Sequence, residues 1–231
     1  MVSAAEIVEL QDRLTREWHG PANATGDGSI SAPAAPAPAG PAPAAPSGGE
    51  WLSDDWLKLV ARQHGANFDL WHIEDEARTP GASDAEIANV KRRIDQTNQT
   101  RNDLVEELDR TIQNWLEERG LPNPAASLHS ESPGLMIDRL SILALKIYHT
   151  REEAERRDAP AGHAERNRER LAILEEQRAD LAGCLDALWQ ETLAGTRRFK
   201  LCRPMKMYND AALNPAIYGS QQGKSASLKR G

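Results

Sequence analysis

The feature that most constrains the fold is a stretch of 36 residues, 84–119, that contains neither glycine nor proline. Ser83 and Glu86 stand at its start in the spacing of a capping box, in which each side chain accepts a backbone N–H. Gly120 is the first residue that would end a helix. At the usual rise per residue such a helix is roughly 50 Å long. Long helices joined by short connections pack against one another as a bundle. The sequence therefore predicts an all-α fold, an antiparallel bundle of long helices.

Four further helices are predicted from capping residues, breakers and apolar periodicity. The first runs from Ser3 to Trp18, and Ser3 with Glu6 forms a second capping box. The composition favours helix over sheet, because Ala, Leu, Glu and Arg are abundant whereas Val, Thr, Tyr and Phe are sparse. The other three helices are expected at residues 53–78, 133–157 and 163–194.

Composition also predicts how the chain is organised: an N-terminal helix at 1–18, a linker at 19–49, a helical-bundle domain at 50–218 and a flexible basic tail at 219–231. The linker holds seven of the fourteen prolines and almost no large apolar side chain. Such a segment cannot bury enough surface to offset its ordering entropy, so we expect it to lack fixed structure.

Charge is distributed unevenly along the chain. The net charge is −7, yet eight Lys and Arg residues follow Gly195 beside one acidic residue, Asp210. We expect this irregular C-terminal part either to pack on the acidic body or to hold an anionic ligand. Nucleic acid is an unfavourable partner, because the acidic body would repel it.

The sequence points to the cytoplasm. Two cysteines, Cys184 and Cys202, are too few for a disulfide framework and fit free thiols in a reducing compartment. The N-terminus shows no basic start followed by an apolar run, so we expect no signal peptide. No apolar stretch approaches the length of a membrane span.

Polar residues interrupt faces that should be buried, and they do so on three predicted helices. A polar group on an inward face is costly unless it is paired or binds a ligand. On the fourth helix, apolar nearly all round, an unpartnered cation would be especially costly. These residues therefore predict either a structural network or, as we expect, a shared polar site. They are Asp95, Asn98, Arg101, Asn102 and Asp103; His72, Glu74, Asp75 and Arg78; and Asp138, Arg139, Lys146 and His149.

The side chains of this set suggest their roles. The candidate metal ligands are oxygen donors of the kind that Mg²⁺ or Mn²⁺ takes: Glu74, Asp75, Asp95 and Asp103. The candidate catalytic residues are Asp95, Asp103, His72 and His149. Basic and amide groups for an anionic substrate are Asn98, Arg101, Asn102, Arg139, Lys146 and Arg78. Zinc is not expected, because no cluster of Cys and His has the spacing of a zinc site.

Four segments, in this order, resemble an uncharacterised bacterial family known as domain of unknown function 4254. They are FDLWHIEDEAR (68–78), KRRIDQTNQTRND (91–103), PGLMIDRLSILALKIYH (133–149) and KMYND (206–210). The resemblance extends from about Trp51 to Pro215, and the Ala/Pro-rich linker looks like an insertion in this chain. Members of that family are often encoded near glycosyltransferase and sugar-pathway genes, which implies a role in such a pathway.

Two functions remain open. The first is a metal-assisted enzyme acting on a phosphorylated or nucleotide-activated sugar in a bacterial glycan or secondary-metabolite pathway. The second is a non-catalytic helical adaptor or partner of a glycosyltransferase. The enzyme predicts a concave site lined by Glu74, Asp95, Asn102 and Lys146, whereas the adaptor predicts an exposed apolar stripe on the first or fifth helix.

Overall fold

The computed structural model describes residues 3–20, 54–201 and 212–213. Within these residues the fold is all-α, as predicted, with each helix within a few residues of its expected bounds. The elements are α1 (Ala4–His19), α2 (Asp54–Glu76), α3 (Asp84–Glu117), α4 (Pro133–Glu155) and α5 (His163–Leu193), with two short strands, β1 (Ser127–Leu128) and β2 (Arg197–Arg198). The antiparallel order of the helices stays a prediction.

Capping residues explain where three of the helices begin. Ser3 and Ser83 each form the predicted capping box, with Glu6 and Glu86 respectively. Ser132 caps α4 by accepting the Leu135 N–H, next to a proline in the first turn. Ser53, predicted to cap α2, lies outside the described residues.

The two strands were not predicted, because segments of two residues carry no periodicity that a sequence pattern could reveal. β1 pairs with β2 in parallel, and beyond the pair the His129 N–H donates to the Arg198 carbonyl at 2.7 Å. Gly195 has a φ of 71° between α5 and β2, a conformation that favours glycine. The pairing places the loop before α4 beside the chain that leaves α5.

The apolar core draws on all five helices. It includes Ile7 of α1, Val60 of α2, Leu108 of α3, Leu140 of α4 and Leu188 of α5. A smaller cluster, in which Ile73 packs with Val90 and Ile94, joins the end of α2 to the start of α3.

The first helix, predicted as a segment of its own, packs against α2, α4 and α5. It belongs to the same compact unit as the other helices, Met1–Leu201. The linker was predicted to begin at residue 19, but His19 is the last residue of α1. Residues 21–49 of the predicted linker lie outside the described part. The predicted tail at 219–231 and Cys202 also lie outside it. No described helix is long and apolar enough to cross a membrane.

Candidate metal centre

The four carboxylates predicted as metal ligands are not brought together. Glu74 pairs with Arg78 at 3.1 Å, Asp95 pairs with Lys91, and Asp103 accepts from Gln99 at 2.8 Å. Each partner lies four residues away along the chain, Arg78 in the turn that follows α2 and the other two on α3, so these carboxylates are satisfied locally. In the described ranges, none of the four belongs to a group of three or more His, Cys, Asp or Glu within metal-binding reach.

Arg101 lies in a buried network centred on Asp138, whose side chain is 6% exposed. The Asp138 carboxylate accepts from the Arg101 guanidinium through both oxygens, with Nε at 2.7 Å from Oδ1. The same Oδ1 accepts from Gln63 Nε2 at 2.6 Å and Asn67 Nδ2 at 2.9 Å. Hydrogen bonding to Asp138 raises the pKa of Arg101. This charge on α4 is therefore paired inside the protein.

The network continues through His64 to α1. Thr15 Oγ1 donates to the Gln11 carbonyl at 2.8 Å, so it must accept from His64 Nε2, at 2.9 Å. His64 Nδ1 then accepts from Ser141 Oγ at 2.7 Å, and Ser141 accepts from Asn67. Burial lowers the pKa of His64 to about 4, which keeps the ring neutral. These hydrogen bonds give several of the buried polar residues a structural role.

Arg139 and Lys146 are exposed, which corrects the expectation that they face the interior. They lie on a side of α4 that borders α5, where a groove of about 730 Å³ is also lined by His129, Cys184 and other residues. Arg139 donates to both oxygens of Glu131, at 2.8 and 2.7 Å. Asn98 and Asn102 are half-buried elsewhere on α3, and Asn102 Nδ2 is buried with no hydrogen-bond partner. Of the residues that the enzyme hypothesis placed around a concave site, this groove includes Lys146.

Three histidines from three helices meet where α1 ends. They are His19 of α1, His72 of α2 and His149 of α4, and one ring nitrogen of each lies within 4.8 Å of the others. Nε2 of each ring is buried and has no hydrogen-bond partner. Buried polar atoms without partners are rare in folded proteins and require an explanation.

The hydrogen bonds at two of these rings decide which nitrogen carries the proton. His19 Nδ1 lies 2.7 Å from the Thr15 carbonyl oxygen, which can only accept, so Nδ1 must be protonated. His149 Nδ1 lies 2.9 Å from Glu152 Oε2, and the carboxylate likewise accepts. In the neutral rings, Nε2 of both histidines therefore presents a lone pair. A carboxylate behind a histidine in this way is typical of metal ligands.

Burial favours the neutral, metal-binding form of His72 and His149. Burial is the main cause that lowers the pKa of His72, and the nearby His19 and His149 lower it further. Burial also lowers the pKa of His149, against the raising effect of Glu152. Asp75 acts on both groups in the raising direction, so this predicted ligand lies near the histidines although it is exposed.

Aromatic rings hold the three imidazoles in place. Trp71 stacks on His149 with ring centroids 4.9 Å apart, and Tyr148 stacks on His19 at 4.2 Å. Phe68 meets His72 edge-on at 4.5 Å. Such packing fixes ring orientation and excludes water, which strengthens interactions with any charge bound there.

The donor set suits a transition-metal ion. Zinc binds imidazole nitrogen at about 2.0–2.1 Å, so three such nitrogens around one tetrahedral ion lie about 3.4 Å apart. Small ring movements from the present separations would reach that spacing. Three protein ligands leave a fourth position for water or substrate, as in catalytic zinc sites. We call His19, His72 and His149 the histidine centre.

His72 and His149 were predicted as site residues from the sequence, but their common partner His19 was not. His19 was assigned to the start of the linker, and zinc was not expected because no Cys/His cluster has suitable spacing. The centre instead joins residues far apart in the chain. One signal was visible: of the six histidines, these three each follow an aromatic residue, in the pairs Trp18-His19, Trp71-His72 and Tyr148-His149.

Comparison with known proteins adds a family but no function. The family model described as "Protein of unknown function (DUF4254)" matches residues 57–201, more than half of the chain. No curated protein and no solved structure gives a significant match. The match includes His72 and His149 and begins after α1. The chain therefore belongs to the family of proteins of unknown function DUF4254.

Proposed function

We propose that this protein is a metal-assisted enzyme acting on a phosphorylated or nucleotide-activated sugar in a bacterial glycan or secondary-metabolite pathway. The observation that carries the proposal is the histidine centre, with three buried Nε2 atoms, none of which has a hydrogen-bond partner. A structural role alone leaves these three buried nitrogens without partners, whereas one divalent cation bound by the neutral rings satisfies all of them.

The chemistry of such a centre supports catalysis. An ion held by three neutral imidazoles keeps an open coordination position, where it can polarise a phosphoryl or carbonyl oxygen or lower the pKa of bound water to about 7. Imidazole nitrogen favours Zn²⁺ and neighbouring transition ions, and Mn²⁺ can also accept it. Mg²⁺, which takes oxygen ligands, would depend on the separate carboxylates of the sequence analysis.

The proposed substrate class and cellular location rest on other observations, which support them less directly than the histidine centre supports metal binding. Arg139 and Lys146 lie on the same groove, and cations of this kind bind phosphate. The family resemblance associates the chain with sugar-pathway genes. We also propose a cytoplasmic location, because Cys184 is a free, exposed thiol of the kind that persists in a reducing compartment.

The adaptor hypothesis has less support from the described helices. On α1, Ile7 is buried against the other helices. On α5, Ile173 is 53% exposed and is the large apolar side chain that stands out on that helix. Single exposed apolar residues are common on protein surfaces, so one of them does not make a docking stripe.

The test begins with metal binding. Chelator-treated protein would be titrated with Zn²⁺, Co²⁺, Mn²⁺ and Mg²⁺, and bound metal would be measured after dialysis. We expect one transition ion per chain, a rise in melting temperature on binding, and loss of both in His149→Ala. His163→Ala is the matched control, because His163 is a half-buried helical histidine bonded to Glu153 outside the centre.

The second step tests the substrate class. The metal-loaded protein would be screened by thermal shift and by product formation against sugar phosphates and nucleotide sugars, with His149→Ala in parallel. We expect stabilisation or turnover by at least one compound in the wild type only. A protein that binds no ion in the first step, or binds one and responds to no compound in the second, would contradict the proposal.

A further inference from the structure

The ligands of the histidine centre come from two parts of the chain. His72 and His149 belong to α2 and α4, within the residues that the family model matches. His19 is the last residue of α1, and residues 20–53 separate it from the start of α2. The centre is therefore complete only when α1 is docked against the other helices.

Three groups of polar contacts hold α1 in place. At its start, the Ala4 N–H donates to Asp186 Oδ1 of α5 at 2.8 Å. In its middle, Asp12 pairs with Arg178 of α5, with Nη1 at 2.7 and 2.9 Å from the two oxygens. Near its end, Thr15 accepts from His64.

The end of α1 also makes the ring contacts that fix the position of His19. Trp18 stacks on His64 with centroids 5.2 Å apart and meets Phe68 edge-on at the same distance. Tyr148 stacks on His19 itself. Every one of these partners lies on α2 or α4, the helices that carry the other two ligands. Docking of α1 and assembly of the centre are thus one event.

We infer that α1 is a latch coupled to the metal: a divalent transition ion holds α1 against α2 and α4, and release of α1 opens the centre by removing one of its three ligands. This inference rests on the proposed function, since it needs an ion at the histidine centre. It adds that the N-terminal helix, which the family model does not cover, controls the affinity of the site and access to it.

The effect of metal binding on the release of α1 can be calculated from the metal concentration and Kd. If the ion binds tightly only to the docked form, it stabilises that form against opening of α1 by the factor 1 + [M]/Kd. At a free metal concentration of 100 times Kd, the population with α1 released falls about 100-fold. Linkage is reciprocal, so the largest factor by which saturating metal suppresses release of α1 equals the factor by which release of α1 weakens metal binding.

Hydrogen exchange of the full chain measures this directly. Amide exchange along α1, from Ile7 to Leu14, would be followed by mass spectrometry in metal-free protein and in protein with Zn²⁺ at about 100 times its Kd. We expect exchange in α1 to slow by up to about 100-fold on metal binding, and amides in the middle of α5 to change much less.

His19→Ala is the decisive variant. The two remaining histidines lie on α2 and α4, so the variant retains weaker metal binding that does not involve α1. At saturating Zn²⁺, exchange in its α1 should be the same as in the metal-free variant. His72→Ala should likewise weaken binding, whereas His163→Ala should behave as wild type.

The outcomes separate this inference from the proposed function. If the full chain binds no ion, the proposed function fails at its first step. If an ion binds but exchange in α1 does not change, or all five helices are protected equally, the latch is refuted while the metal centre stands. Equal metal-induced protection of α1 in the wild type and in His19→Ala would refute it as well.

Discussion

Glu152 shows, at the scale of single residues, how a group that contacts no metal can decide whether a centre forms. Its Oε2 accepts from His149 Nδ1 at 2.9 Å and so directs the lone pair to Nε2. Glu152 also interacts with Tyr148, whose pKa is raised mainly by burial and further by this carboxylate. Its carboxylate thus bonds to His149 and acts on the phenol group of Tyr148, whose ring stacks on His19.

We predict that Glu152→Ala weakens binding of the transition ion by roughly 10- to 100-fold, because His149 loses the partner that fixes its tautomer. The affinity would be measured by competition with a chelator of known strength. Glu155→Ala, an exposed change at the end of the same helix, is the control and should leave Kd unchanged. Equal affinities for wild type and Glu152→Ala would exclude this role.

Asp109 is a second residue whose environment has consequences that its type alone does not reveal. It is a buried carboxyl on α3 that accepts from Ser132 and from the Gly134 N–H, the latter at 2.6 Å. Burial raises its pKa to about 6, against these two hydrogen bonds. Folding therefore favours the protonated form of Asp109, so its contribution to stability is fully present below the ordinary pKa of 3.8 and is lost as pH rises through about 6.

His64 has the opposite effect. Burial lowers the pKa of His64 from 6.5 to about 4, so folding favours its neutral form. Its contribution to stability is therefore fully present above pH 6.5 and is lost as pH falls towards 4. The two effects partly cancel in the wild type. Because Asp109→Asn removes one of them, we predict that this variant loses stability more steeply than wild type between pH 6.5 and 4.5, in urea unfolding with chelator present. Asp103→Asn, at an exposed site, should follow the wild-type slope, and parallel slopes for Asp109→Asn would disprove the assignment.

At the scale of elements, α4 begins in close contact with α3. A Cβ atom on Gly134 would lie 2.7 Å from the Val105 carbonyl oxygen and 2.8 Å from Asp109 Oδ1. Glycine is required here by space and not by backbone angle, since the residue is helical. The contact also brings Asp109 to the N–H groups at the start of α4, where a negative charge is favourable.

Two glycine substitutions should therefore have opposite effects. We predict that Gly134→Ala destabilises the protein by about 1–3 kcal/mol, because α3 and α4 must separate. Gly183→Ala on α5 meets nothing within 4 Å and should stabilise by about 0.5–1 kcal/mol through helix propensity. Both free energies would come from urea unfolding. Tolerance of alanine at Gly134 would mean that the helices are not held so closely.

The helices could be predicted from the sequence because their signals are local. The boxes at Ser3 and Ser83, the proline after Ser132 and Gly195 after α5 each act within one turn. The strands could not, because β1 and β2 pair residues about 70 positions apart and each is only two residues long. Whether a polar residue faced inward was equally hard to predict: Asp138 is buried and its neighbour Arg139 is exposed, although both interrupt the same apolar helix.

At the scale of the whole molecule, the polar residues separate into two systems that the sequence pattern could not distinguish. One is the network around Asp138, in which hydrogen bonds between side chains link α1 to α4 through α2, although Gln63 Oε1 has no partner. The other is the histidine centre, in which Nε2 of each ring has no hydrogen-bond partner. Composition and periodicity detect both as interruptions of an apolar face. Only the contacts between side chains of different helices show which of these polar groups are paired within the protein.

Arg101 belongs to the first system, although it was predicted as a substrate-binding residue, and a pair of variants can decide between these roles. Arg101→Met would leave the Asp138 carboxylate buried with only Gln63 and Asn67 as donors. Removing one partner of a buried ion pair typically costs about 3–5 kcal/mol, so we predict a loss near the lower end of that range. Lys146→Met removes an exposed cation from the groove and should change stability by less than about 0.5 kcal/mol.

Unfolding free energies of both variants would be measured beside the affinity for any sugar phosphate or nucleotide sugar that stabilises the wild type. A large loss of stability in Arg101→Met, with unchanged affinity where the variant remains folded, assigns Arg101 to the structure. If Arg101→Met instead keeps its stability and loses affinity, the ion pair with Asp138 is not what fixes this arginine. Its predicted role in substrate binding would then be correct. Lys146→Met tests the groove independently of the Asp138 network and the histidine centre. This variant can lower the affinity only if the anionic ligand lies in the groove along α4 and α5.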